Sequence, residues 1–199
     1  MKYFFDCEFL EDGNTIDLIS IGVVCEDGQE YYAVNEYMPI ERISEDEWMV
    51  DNILPHLPAT FDVESYHYEL KDKSTDPMIR FPRQIKEDLI EFITGDNIEF
   101  WAYYGDYDWV CMCRLFGRMI DLPEHWPKFA YDLRQWLNHK GLGFIRQPDE
   151  APHHALYDAR WGAGIHRINA DRTVDITAKD TEIKRLQAII NQHDIRTDS

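Results

Sequence analysis

Residues 3–25, YFFDCEFLEDGNTIDLISIGVVC, decide how the rest of the chain is read. Two runs rich in aromatic and β-branched residues flank Glu11-Asp12-Gly13-Asn14, a turn signal between strands. A second such turn, Glu26-Asp27-Gly28-Gln29, leads into EYYAV at 30–34, so the first third reads as an antiparallel meander. Within the opening strand, Asp6 and Glu8 stand two residues apart. Side chains alternate along a strand, which puts these two carboxylates side by side on one face. Solvent on an exposed face would make that tolerable, but Phe4, Phe5 and Phe9 mark the strand as central. Buried like charges call for a cation.

Working outward, a helix is expected around residues 44–52, ending ahead of Pro55, and residues 55–80 read as a polar, proline-containing excursion over the surface. FPRQIKEDLIEFI, at 81–93, repeats apolar residues at helical spacing behind Pro82 and stops near Gly95. NIEFWAYY (97–104) reads as a strand, DYDWVCMCRLFGRM (106–119) as a helix, and KFAYDLRQWLNHK (128–140) as a short strand running into a helix. A loop over 141–152 then precedes HHALYDARWGAGIHRI (153–168), a helix whose start Pro152 marks. Hairpins followed by alternating helix and strand imply an α/β fold, a mixed sheet covered by helices. The expected division is a domain over 1–170 and a polar extension over 171–199. Ile183, Leu186 and Ile190 fall on one face of a short amphipathic helix there.

The chain's 38 acidic and 20 basic residues give a net charge of −18. That excludes a protein gripping long nucleic acid through many phosphate contacts, which would carry a basic surface. A short end held by metal ions and a local basic patch fits, with Arg80, Arg83, Arg114 and Arg160 as candidates. Cysteines at 7, 25, 111 and 113 form no C-x-x-C pair, so neither a zinc site nor a disulfide framework is indicated. No stretch is long and apolar enough to span a membrane, and the first residues do not read as a secretory signal. The expected compartment is the cytoplasm.

Three acidic clusters fall at element ends: Asp6-x-Glu8, GDYDW with Asp106 and Asp108, and HHALYD with His153, His154 and Asp158. Five residues on a helix separate side chains by about 140°, so His153 and Asp158 share a site only if His153 precedes the first turn. A histidine there feels the positive helix end, which favours its neutral, proton-accepting form. Four carboxylates and a histidine suit phosphodiester hydrolysis. Two hard divalent ions, Mg²⁺ or Mn²⁺, can clamp the attacking and leaving oxygens while the histidine takes the proton of water. One of Asp106 and Asp108 is expected only to cap a helix.

In this order and spacing the motifs resemble the DEDDh 3′–5′ exonucleases, a group that includes DnaQ-like and ribonuclease T-like enzymes. The small stand-alone bacterial and phage-type exoribonucleases look most similar. The resemblance covers residues 1–170 and implies a ribonuclease H-like mixed five-stranded sheet. It implies that Asp6, Glu8 and Asp158 hold one metal ion, that Asp6 and Asp108 hold a second, and that His153 is the general base. Family members often carry Asn where this chain has His154. Phe9 and Leu10 correspond to positions that wedge or stack terminal bases, with core packing as the equal rival. The implied activity is release of nucleoside 5′-monophosphates from the 3′ ends of single-stranded RNA, or of DNA, by a homodimer. Two other classes remain open: a catalytically silent nucleic-acid-binding module, and a small-molecule phosphodiesterase or nucleotide hydrolase using the same metals.

Overall fold

The computed structural model describes residues 1–62, 67–72, 76–147 and 153–197. Pro152 lies outside them, as do the side chains of 171–180 and 187–199, Ile190 included. The meander forms as expected: β1 (Lys2–Glu11), β2 (Ile16–Cys25) and β3 (Glu30–Asn35) pair antiparallel in chain order. β7 (Glu99–Ala102) adds parallel to the other side of β1, and β8 (Tyr131–Asp132) adds parallel to β7. These five strands make the mixed sheet expected of a ribonuclease H-like fold. A sixth, β6 (Ile79–Arg80), extends the far edge by pairing parallel with Val34 and Asn35 of β3.

That sixth strand corrects the surface excursion expected over 55–80, as does a separate hairpin of β4 (Ala59–Asp62) and β5 (His67–Leu70). The helix expected around 44–52 is two short ones, α1 (Ile40–Ser44) and α2 (Glu47–Asn52). The Asp46 side chain caps α2 by accepting the Met49 amide at 3.0 Å.

The period-two pattern of β1 sorts its side chains between two faces. Tyr3, Phe5 and Cys7 pack with Ile21, Val23 and Phe100 beneath α3 (Pro82–Phe92) and α4 (Asp106–Phe116). Burying each such large side chain contributes about 1.5–3 kcal/mol. The other face carries two apolar clusters: Phe4, Trp101 and Leu133 at one end, and Leu10, Ile19 and Val34 with Met38 and Ile43 at the other. Asp6 and Glu8 occupy the gap between them. A β-bulge follows directly, since Glu8 pairs with Ser20 but Phe9 pairs with Leu18. Bulges of this kind re-aim side chains beside functional sites.

α5 (Leu133–His139) starts straight after β8, and α6 runs without a break over Ala155–Thr197, so the extension carries no separate short helix. Residues 1–163 form one compact unit, and 164–199, the rest of α6, form another. Within the second unit Ile183 and Leu186 are exposed. Among the described residues no helix is long and apolar enough to cross a membrane.

Candidate active site

Register builds the first part of the site. Asp6 pairs with Gly22, which pairs with Tyr32, and Glu8 pairs with Ser20, so these five residues share one face of three adjacent strands. Gly22 lets α6 reach that face. A Cβ there would lie 2.4 Å from both the Cα and the N of Leu156, and 2.5 Å from the carbonyl carbon of Ala155. The first turn of α6 therefore rests on bare backbone, and it brings Asp158 to the acid pair. Ligand oxygens of Asp6, Glu8 and Asp158 all lie within 4.8 Å of one another.

Asp108 arrives from the other side of β1. β7 pairs with β1 only as far as Phe4, and beyond it the first turn of α4 closes in. Asp108 is buried there, and its Oδ1 accepts the Cys7 amide at 2.7 Å. Asp106, two residues earlier, is exposed. Asp132 braces this junction, with Oδ2 accepting the Gly105 amide at 2.9 Å and Oδ1 accepting the Gln135 amide at 2.6 Å.

The electrostatics follow from this crowding. Burial, then the charges of Asp158 and Asp108, push Glu8 up to about 8. Burial also pushes Asp108 up to about 7, against the Cys7 amide that lowers it. Asp6 is raised by burial first and then by Asp108, Glu8 and Asp158. Asp158 is raised by burial to about 6, against hydrogen bonds from Gln147 and from the His153 backbone. The charges that act on Asp6 and Glu8 are all carboxylates. Glu8 Oε1 is fully buried and, among the described residues, has no hydrogen-bond partner.

The two histidines differ in what holds them. His154 caps α6: its Nδ1 accepts the Leu156 amide at 3.2 Å and its carbonyl accepts the Asp158 amide at 3.0 Å. Its ring stacks on Tyr32 at 4.6 Å. His153, just outside the helix, adopts a left-handed backbone (φ 64°), and its ring meets Trp48 edge to face at 4.8 Å. Partial burial lowers the pKa of both rings, favouring the neutral form. Phe9 is half-buried, edge-on to Tyr107 at 5.8 Å, whereas Leu10 lies inside the core cluster.

Sequence reasoning missed several neighbours. The Gln147 side-chain amide donates to Asp158 Oδ1 from a loop with no periodic signal. Gly22 was findable, because a glycine inside a strand marks close backbone approach. Of the basic candidates, Arg80, Arg83 and Arg160 are paired with Asp88, Glu87 and Glu30, and Arg114 donates to the Ile16 carbonyl.

A ribonuclease H-like sheet with four carboxylates drawn to one end defines an α/β domain of the nuclease kind. The model of the 3′–5′ exoribonuclease Rv2179c-like domain matches residues 63–168, a span that holds Asp108, His153 and Asp158. The chain is also 41% identical over 163 residues to the 3′–5′ exoribonuclease Rv2179c of Mycobacterium tuberculosis (strain ATCC 25618 / H37Rv), covering 80% of this chain and 88% of that protein. The 3′–5′ exoribonuclease MT2234.1 of Mycobacterium tuberculosis (strain CDC 1551 / Oshkosh) matches to the same extent. The chain belongs to this Rv2179c-like family of 3′–5′ exoribonucleases, which are phosphodiester hydrolases.

Proposed function

We propose that the chain is a divalent-metal-dependent exoribonuclease of the DEDDh type, removing nucleoside 5′-monophosphates from the 3′ ends of single-stranded RNA. The RNA substrate and the direction of attack rest on the names its relatives carry. The metal dependence rests on one observation: three carboxylates converge within 4.8 Å while Glu8 Oε1 is buried with no partner among the described residues. An acceptor left so is unfavourable by about 1–3 kcal/mol, more if charged, unless a cation meets it. An all-oxygen donor set fits Mg²⁺ or Mn²⁺ better than zinc.

In this reading Asp6, Glu8 and Asp158 hold one ion, and Asp6 with Asp108 holds a second. Bound there, the ions would lower the pKa of a water and offset charge on the scissile phosphate. Asp108 is fixed for that role through the oxygen that accepts the Cys7 amide, leaving its other oxygen for a ligand. Gln147 does the same for Asp158. His153, neutral and outside the helix, accepts the proton of the attacking water, while His154 is engaged as the cap. The acidic surface suits a substrate held at its terminus. A homodimer acting in the cytoplasm completes the proposal.

Digestion of 3′-end- and 5′-end-labelled RNA with Mg²⁺, Mn²⁺ or EDTA tests it. The expected result is stepwise shortening from the 3′ end, lost in EDTA and in Asp6→Asn. Activity indifferent to both changes overturns it. Turnover of dinucleotides or nucleoside triphosphates but not of longer RNA would replace it with a small-molecule hydrolase.

A further inference from the structure

The loop that leaves β7 and the first turn of α5 share a second constellation. Tyr103 follows the last residue of β7, and Arg134 is the second residue of α5. Asp132, the last residue of β8 and the cap of α5, ties the two together by accepting the Gly105 and Gln135 amides, and its charge acts on Asp108. Tyr103, two residues before Gly105, and Arg134, two residues after Asp132, flank these hydrogen bonds without making them.

Neither group is satisfied by a described residue. Tyr103 and Arg134 are part-exposed side chains, and among the described residues Tyr103 Oη and Arg134 Nη1 find no hydrogen-bond partner. Among the described residues the Arg134 guanidinium has no acceptor and no carboxylate. Its contact is the face of Phe144, 5.9 Å away. Asp132 draws the segments that carry the two groups together, and while burial raises the Tyr103 hydroxyl pKa, the Arg134 charge lowers it. In a chain with 38 acidic and 20 basic residues, an arginine with no carboxylate among the described residues runs against composition. Arg42, Arg80, Arg83, Arg118 and Arg160 each have one.

Aromatic rings surround the pair. Tyr103 meets Tyr104 at 4.9 Å and Trp161 at 4.8 Å, both edge to face. Tyr104 has a left-handed backbone (φ 57°) and is 64% exposed, so its ring stands out into solvent. A planar donor fork, a phenolic donor and an exposed aromatic face suit a phosphate with a base beside it.

We propose that Arg134 and Tyr103 form a subsite for an uncleaved backbone phosphate of the single-stranded substrate, with Tyr104 offering its ring to the adjoining base. This rests on the exoribonuclease reading above. It supplies the local positive patch that the acidic composition demands, at a place where none of the expected basic candidates is free.

The test uses the full chain and single-stranded RNA of two lengths, a dinucleotide and a longer oligomer, across a range of salt. Arg134→Gln is expected to raise KM for the oligomer about tenfold to a hundredfold, as loss of a charged hydrogen bond predicts. The expected kcat is unchanged, as is turnover of the dinucleotide. The salt slope of oligomer affinity should fall by about one, as for one lost phosphate contact. Arg134→Lys should keep that slope. Tyr103→Phe should raise KM less.

If wild-type protein cleaves RNA but Arg134→Gln alters neither KM nor the salt slope, the subsite is refuted. A lower melting temperature with unchanged KM likewise refutes it, as a merely structural role. If inorganic phosphate binds with the same Arg134 dependence while the oligomer shows none, the site takes free anions and the proposal fails. Wild-type protein that neither binds nor cleaves RNA overturns the functional reading itself, a separate outcome.

Discussion

Replacing Gly22 with alanine adds one methyl group where α6 rests on the sheet. The new carbon would stand 2.4 Å from Leu156 Cα and N. Ordinary carbon contacts lie at about 3.5–4.0 Å, so the start of the helix must back away by about 1 Å. Both neighbours are backbone, so no side-chain rotation relieves the clash. Overpacking of this size costs about 1–3 kcal/mol. For a chain of this length that lowers Tm by roughly 2–12 °C. The retreat also carries Asp158 away from Asp6 and Glu8, and a displacement near 1 Å can reduce turnover about a hundredfold. Thermal melting and kcat/KM on labelled RNA at saturating Mn²⁺ measure the two effects on one preparation. Wild-type melting would refute the packing argument. A lowered Tm with full activity would refute the claim that this contact sets the acid cluster.

Two more predictions concern the same residues. Because Glu8, Asp108 and Asp158 are raised to about 8, 7 and 6, the folded, metal-free protein holds protons that the unfolded chain releases near pH 4. Stability should then fall as pH rises from about 4 to 8 in EDTA, recover with Mn²⁺, and be less steep in Glu8→Gln; denaturation midpoints flat with pH would contradict this. His153→Ala should lower kcat by about 10²–10⁴ with Tm unchanged. His154→Ala should instead lower stability, by about 0.5–2 kcal/mol for the lost cap alone, and the reverse pattern would exchange their roles.

What the sequence made legible is what local chemistry decides. Asp-Gly turns and alternation specified the meander, and period two placed Asp6 and Glu8 on one face. The choice between Asp106 and Asp108 was not local. Both lie in the first turn of α4, and only the Cys7 amide, exposed where β7 ends, separates the buried residue from the exposed one. The β4–β5 hairpin and the two-residue β6 escaped notice because four polar-spaced residues carry too little alternation to register. The compositional change near Ala170 looked like an end, yet no proline follows Ala155 to stop α6.

Helix ends sharpen the case for cations. Asp108 and Asp158 both lie in first turns, where the aligned peptide dipoles present partial positive charge. Such ends stabilise a nearby anion by about 0.3–1 kcal/mol, up to about 2 when partly buried. That help is already present in the folded chain, together with the amides that Asp108 and Asp158 accept. Even so, Glu8 is left near 8 and Asp108 near 7. One pKa unit corresponds to about 1.4 kcal/mol, so burial and mutual repulsion outweigh everything the fold supplies. No lysine or arginine is among the groups acting on Asp6 or Glu8. The fold could have set one there, since Ser20 and Tyr32 share their face. A permanent cation would occupy the space an exchangeable ion needs, and the unoffset charge is what gives such an ion its affinity.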